Sequence, residues 1–189
     1  MVANGRPARF IPPRKLRPVP ESAYRTFRAF FDAVAEELPA LLPGELRDYR
    51  TARMGGVFKV HFGTPRRHYE LWFRGGGLEI GYHLEGAPEA DRAVVAVLER
   101  RLPRLQRSLG GEMRLEPFGP GWSHLYELWP ATAKTPRLAG DAAARLSELI
   151  RLLEPELGRV TPGRGSGRRP APVAEGAPIR APGRSARRR

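Results

Sequence analysis

The 189-residue chain contains no cysteine, which excludes disulfides, thiolate-ligated zinc, cysteine nucleophiles and dithiol redox chemistry together. No apolar run approaches the ~20 residues needed to cross a bilayer. The opening stretch, MVANGRPARFIPPRKLRPVP, is basic and broken by prolines, without the apolar block of a secretory signal. A cytoplasmic protein with no membrane partner is therefore the expectation. Lysine is scarce too: three of the 33 basic residues are lysine and the rest arginine. With abundant Ala, Gly and Pro, that bias is typical of a GC-rich coding sequence. Motifs for cofactors and nucleophiles are also missing. Gly75-Gly76-Gly77 joins two strands rather than a strand to a helix, so it is not a phosphate-binding loop. There is no Gly-x-Ser-x-Gly elbow. Ser123 and His124 are neighbours on a strand and point to opposite faces, so they cannot pair as nucleophile and base. No cofactor is implied.

The charge that is present sits at the ends. Of the net +13, residues 1–19 contribute +5 and residues 158–189 contribute +8, so residues 20–157 are neutral. The terminal segments are rich in Gly, Pro and Arg and poor in large apolar side chains. Such composition cannot offset the entropy of ordering, so both are expected to be disordered arms around a single domain over 20–157. The arms supply candidate nucleic-acid contacts: Arg6, Arg9, Arg14, Lys15 and Arg17 before the domain, and Arg164, Arg168, Arg169, Arg184, Arg187, Arg188 and Arg189 after it. Each phosphate neutralised by such a side chain releases counterions. Gly5-Arg6-Pro7 and Gly167-Arg168-Arg169-Pro170 faintly resemble AT-hook minor-groove binders but lack that family's Arg-Gly-Arg-Pro core, so its function does not carry over.

Within the body, apolar residues at steps of three and four predict helices. One spans 21–41 through Tyr24, Phe27, Phe31, Val34, Leu38 and Leu41, with Ser22 as N-cap and Pro43-Gly44 as stop. A second starts at Pro88 and ends at Gly110-Gly111, with a kink or break expected at Pro103. A third runs from Asp141 as cap through Leu146, Leu149, Ile150, Leu153 and Leu157. Strict alternation predicts strands at 57–62, 68–73 and 78–84 forming a three-strand meander, and a two-strand hairpin at 112–117 and 122–129. For the last strand, Trp122, His124, Tyr126 and Leu128 form the longer apolar set and are taken as inward. The fold class is α+β: an antiparallel sheet with three amphipathic helices packed mainly on one face.

Register follows from keeping apolar sets on one face. Phe73 is set opposite Leu78, Leu71 opposite Ile80 and Tyr69 opposite Tyr82, which makes Gly75-Gly76 a type I′ turn. In the earlier hairpin, Phe62 is set opposite Tyr69 and Val60 opposite Leu71. The other face then carries His61 beside Glu70 and Gly81, His68 beside His83, and Lys59 beside Trp72 and Glu79.

Three readings of that polar face follow. The simplest is a solvated sheet face with modest cross-strand ion pairs. The second is a metal site using His61, His68, Glu70 and His83, the donor types of a two-His, one-carboxylate centre, with Gly81 leaving room for a ligand. The third is a contact face built on an exposed Trp72 flanked by Lys59 and Glu79, meeting a protein partner or a second copy. The helix-then-meander order over 21–84 resembles the start of the PD-(D/E)xK nuclease fold. That family's strand Glu-x-Lys is absent, since Glu70 is followed two on by Trp72 and Glu79 by Gly81, so nuclease chemistry of that type is rejected. The leading functional expectation is a non-enzymatic binding or scaffold domain whose basic arms contact nucleic acid; a metal-dependent enzyme is the alternative.

Overall fold

A computed structural model describes residues 23–110 and 112–161. Every arginine and the lysine named above as nucleic-acid contacts lie outside the described residues, as does Ser22; the expected arm boundary at 158 is corrected, because residues 158–160 continue the last helix, which ends at Val160. The elements, in chain order, are α1 (Phe27–Leu41), a 3-10 turn at Gly44–Leu46, β1 (Arg50–Met54), β2 (Val57–His61), β3 (Arg67–Arg74), β4 (Gly77–Leu84), α2 (Pro88–Leu109), β5 (Arg114–Phe118), β6 (Trp122–Pro130) and α3 (Pro136–Val160). The fold is α+β. Six strands form one antiparallel sheet in the order β1-β2-β3-β4-β6-β5. No helix among the described residues is long and apolar enough to cross a membrane.

The alternating apolar residues of the strands build the core. Phe58, Val60, Tyr69, Leu71, Leu78, Ile80, Tyr82, Leu84 and Leu125 are buried together with Phe30, Phe31, Val34 and Leu38 of α1 and Leu146, Leu149, Ile150 and Leu153 of α3. The glycine hairpin has the expected register, with Tyr69, Leu71 and Phe73 opposite Tyr82, Ile80 and Leu78. Gly75 and Gly76 adopt φ of +57° and +79°, the left-handed values a type I′ turn requires.

Local differences from the sequence reading each have a physical cause. The first helix is capped by Thr26, whose Oγ1 accepts from the Ala29 N–H at 3.1 Å. The third starts a turn and a half earlier than Asp141: Thr135 caps it, accepting from the Leu138 N–H at 3.1 Å, and Pro136 takes the first position, where its missing N–H costs nothing. α2 runs continuously through Pro103. β1 was not foreseen because all five of its residues are exposed, so it has no apolar period; its arginines suit an edge strand that must not pair further.

Two corrections bear on the site. β2 pairs two residues further along than expected, with Val60 opposite Tyr69 and Phe58 opposite Leu71. A slip of two preserves the apolar face and so escapes the hydrophobic-pattern argument. Lys59 therefore lies beside Glu70, not Trp72. β6 faces the other way: Leu125 is fully buried, whereas Leu128 is 49% and Trp122 39% exposed. Glu127, on the helix-facing side, made that side look polar. Its carboxylate is met by Arg145 of α3 at 2.9 Å, and the same guanidinium stands 5.5 Å from the Trp129 ring centroid. A residue 85 positions removed from Glu154 shows the same device: the Tyr69 hydroxyl donates to Glu154 Oε1 at 2.8 Å inside the core.

Candidate metal centre

The face of the sheet away from the core is not a wetted surface. His68, Glu70, Glu79, His83 and His124 are all buried on it. The two registers around β4 put His68, His83 and His124 in one row across β3, β4 and β6. The adjoining row holds Lys59, Glu70, Gly81 and Tyr126, and the next holds Trp72, Glu79 and Leu128.

Side chains on a flat sheet would stand parallel; here they converge. β3 and β5 are three strand steps apart, ~14 Å in a flat sheet, yet the rings of Trp72 and Phe118 are 6.1 Å apart. Phe118 also packs on His83 at 5.4 Å and His124 at 4.8 Å. This edge-strand phenyl, with Trp122 stacked on it at 6.2 Å, roofs the histidine row. Trp72 is half-buried beneath the guanidinium of Arg74, 5.0 Å from its ring, and is a wall of the site.

The buried polar groups form two joined clusters. In the first, Lys59 Nζ lies 3.3 Å from Glu70 Oε2 and 3.0 Å from Glu85 Oε1. His68 sits with Nδ1 2.8 Å from the Pro65 carbonyl and Nε2 3.1 Å from Glu70 Oε2. Both ring nitrogens of His68 thus face acceptors, an arrangement satisfied by two ring protons or by a cation in place of one. A groove of about 440 Å³ opens beside this cluster, lined by Met54, Val57, Pro65 and Arg66 with Lys59 and Glu85.

In the second cluster, Glu79 is the hub. Its Oε1 lies 2.8 Å from His83 Nε2 and 3.3 Å from His124 Nδ1. Its Oε2 is held by Arg74 Nε. Tyr126 stacks on His124 with ring centroids 4.0 Å apart. The clusters meet where His83 Nε2 comes within 3.8 Å of Glu70 Oε1 and where the rings of His68 and His83 stack at 5.6 Å. His83 Nδ1 is buried without a hydrogen-bond partner among the described residues.

Burial works against ionisation of Glu79, but hydrogen bonds from His124 and His83 and the charges of His83 and Arg74 outweigh it, bringing the carboxyl down to about 2. Glu70 is shifted the same way: burial opposes its charge, and the His68 hydrogen bond with the charges of His83, Lys59 and His68 overcomes that. Both side chains are therefore carboxylates, the form in which they ligate metals.

Two sets of donor atoms are close enough to share an ion: His68, Glu70, His83 and Glu85, with all four atoms within 4.8 Å of one another, and Glu79, His83 and His124 within the same limit. Of the four residues expected to form a metal site, three converge. His61 does not; its Nδ1 lies 3.1 Å from the Gly63 carbonyl. Gly81 leaves no vacant ligand position either, because a Cβ there would come within 2.6 Å of the Leu125 carbonyl and 2.9 Å of Tyr126 Cβ. Three donors lie beyond the sequence expectation: Glu79, which the sequence pattern sets beside Trp72; His124, which it sets on the inward face of β6; and Glu85, just past the last residue of β4. The usable signal was the histidine itself at 124, legible once β4 is known to be the neighbour of β6.

No family model, curated protein or solved structure matches the chain.

Proposed function

We propose that this protein is a metalloprotein whose centre takes one divalent transition-metal ion through Glu79, His83 and His124. The observation that carries the reading is the meeting of three donors: one carboxylate oxygen with imidazole nitrogens at 2.8 and 3.3 Å. Donors bound at about 2.0–2.2 Å to a common tetrahedral or octahedral ion stand roughly 3.0–3.5 Å from one another, so the preformed spacing needs little adjustment. The set of two imidazoles and one carboxylate suits zinc or iron(II). Three protein donors leave coordination positions for water or a substrate oxygen, which the ion would polarise.

Charge favours this set over its neighbour. Around Glu70 and Glu85 the Lys59 ammonium already stands where a cation would. At Glu79 the corresponding cation, Arg74, binds the other carboxylate oxygen and leaves Oε1 to the histidines. Arg74 thereby serves as the outer partner that orients a ligating carboxylate. The reading narrows the expected site from His61, His68, Glu70 and His83 to His83 with Glu79 and His124.

The test is metal analysis of protein purified without a histidine tag, followed by cobalt(II) titration under native conditions. The expected result is one ion per chain and a visible cobalt absorption that His124→Gln abolishes while the fold is retained. Folded wild-type protein that holds no stoichiometric zinc or iron and gives no cobalt spectrum would make the cluster a structural ion network only.

A further inference from the structure

A second feature, independent of the metal centre, lies on α2. α2 carries Arg100, Arg104 and Arg107 at steps of four and three, all exposed, so they share one helix stripe spanning roughly 10 Å. The positions three and four residues either side of Arg104 are Arg100, Arg101, Arg107 and Ser108. No acid offsets the stripe from within the helix, and like charges at this spacing destabilise it. Arg101 is the one neutralised from outside, by Glu156 of α3. Arg107 lies in the last turn, where it complements the helix dipole; Arg100 and Arg104 have no such role. Arg104 and Arg101 also line a cleft of about 160 Å³ between α2 and α3, together with Arg151, Leu105 and Glu156.

Glu156, which binds Arg101, also takes Arg159 at 3.2 Å. Thr161, the last described residue, is five positions beyond Glu156. The 28 residues that follow hold eight arginines and one glutamate.

We propose that the Arg100–Arg104–Arg107 stripe is a docking surface for the phosphate backbone of a nucleic-acid duplex. Charge complementarity selects this occupant: guanidinium forks match phosphate oxygens, and three arginines aligned on one helix, none with an ion pair among the described residues, suit a regularly charged polyanion. The neutral body thus has a basic face, and recognition through it is independent of sequence.

The experiment is fluorescence anisotropy of the full chain with a labelled DNA duplex across 50–300 mM salt, beside a duplex RNA of equal length and phosphatidylserine vesicles. Replacing Arg100, Arg104 and Arg107 together by Ala is expected to weaken duplex binding at least tenfold at ~100 mM salt and to lower the log–log salt slope by about 2–3. The triple lysine variant should keep the slope, and the alanine variant should melt no lower than wild type because it loses like-charge pairs. Comparable loss on DNA and RNA assigns the phosphate backbone; loss on one alone assigns that duplex. Unchanged affinity and slope in the alanine variant, no duplex binding by wild type, or binding to vesicles alone would overturn the proposal.

Discussion

Glu79 and His83 meet tip to tip across Gly81. They are four residues apart on one strand, ~13 Å along an ideal extended chain, yet Oε1 and Nε2 are 2.8 Å apart. The residue between them on that face has no side chain to intervene. The two side chains lean together over it, and the Glu70 carboxylate enters the same gap from β3, 3.8 Å from His83.

Gly81 is therefore a packing requirement of the site. Its φ is not in the left-handed region, so the constraint is space alone. A Cβ at 2.6 Å from the Leu125 carbonyl and 2.9 Å from Tyr126 Cβ cannot be accommodated without shifting β6. Gly81→Ala is expected to cost about 1–3 kcal/mol, read by urea unfolding, and to move the Tyr126–His124 stack, read by the histidine ring resonances. A variant as stable as wild type with unmoved resonances would contradict this packing.

The depressed carboxyl of Glu79 sets an acid limit on stability. Its folded value of about 2 lies below the ordinary 4.5, so it stabilises the fold fully above pH ~4.5, and that contribution is lost as pH falls from there toward 2. Glu70 is displaced in the same direction. Unfolding free energy measured by urea between pH 6 and 3 should fall with pH in wild type, and more shallowly in Glu79→Gln. An unchanged slope would mean that the histidine and arginine contacts do not hold the carboxylate in solution.

Which way β6 faces is open to a paired measurement. Leu125→Ala removes a fully buried side chain and should cost about 2–5 kcal/mol. Leu128→Ala alters a side chain that is 49% exposed and should cost less than about 1 kcal/mol. Reversed magnitudes would restore the inward assignment of Trp122, His124, Tyr126 and Leu128.

The start of α3 gives a similar pair. Thr135→Ala deletes the side-chain cap on the Leu138 N–H and should cost about 1 kcal/mol. Asp141→Ala removes only an exposed i, i+4 pair with Arg137 at 3.7 Å, worth about 0.3–0.5 kcal/mol. Thermal or urea unfolding of the two variants side by side checks the order.

Alternation and periodicity are local, and what they determined was local. The period of two at 57–62, 68–73 and 78–84 fixed which side chains build the core, because a strand has only two faces and one must be apolar. Gly75-Gly76 fixed the hairpin and with it the contact of His68 with His83, since the turn leaves one register. Pro88 and Gly110 marked the ends of α2. Tertiary structure decided the rest. A two-residue slip of β2 leaves its apolar face intact, so only packing could set Lys59 against Glu70. Glu127 reads as an outward residue until Arg145 arrives from α3, so the pattern alone puts His124 on the core side. The approach of Phe118 to Trp72 across three strand steps is set by the whole sheet. The histidines and glutamates are visible in the sequence; their convergence depends on which strand lies beside which and how the side chains lean together, because a few ångströms separate a hydrated surface from a set of metal donors.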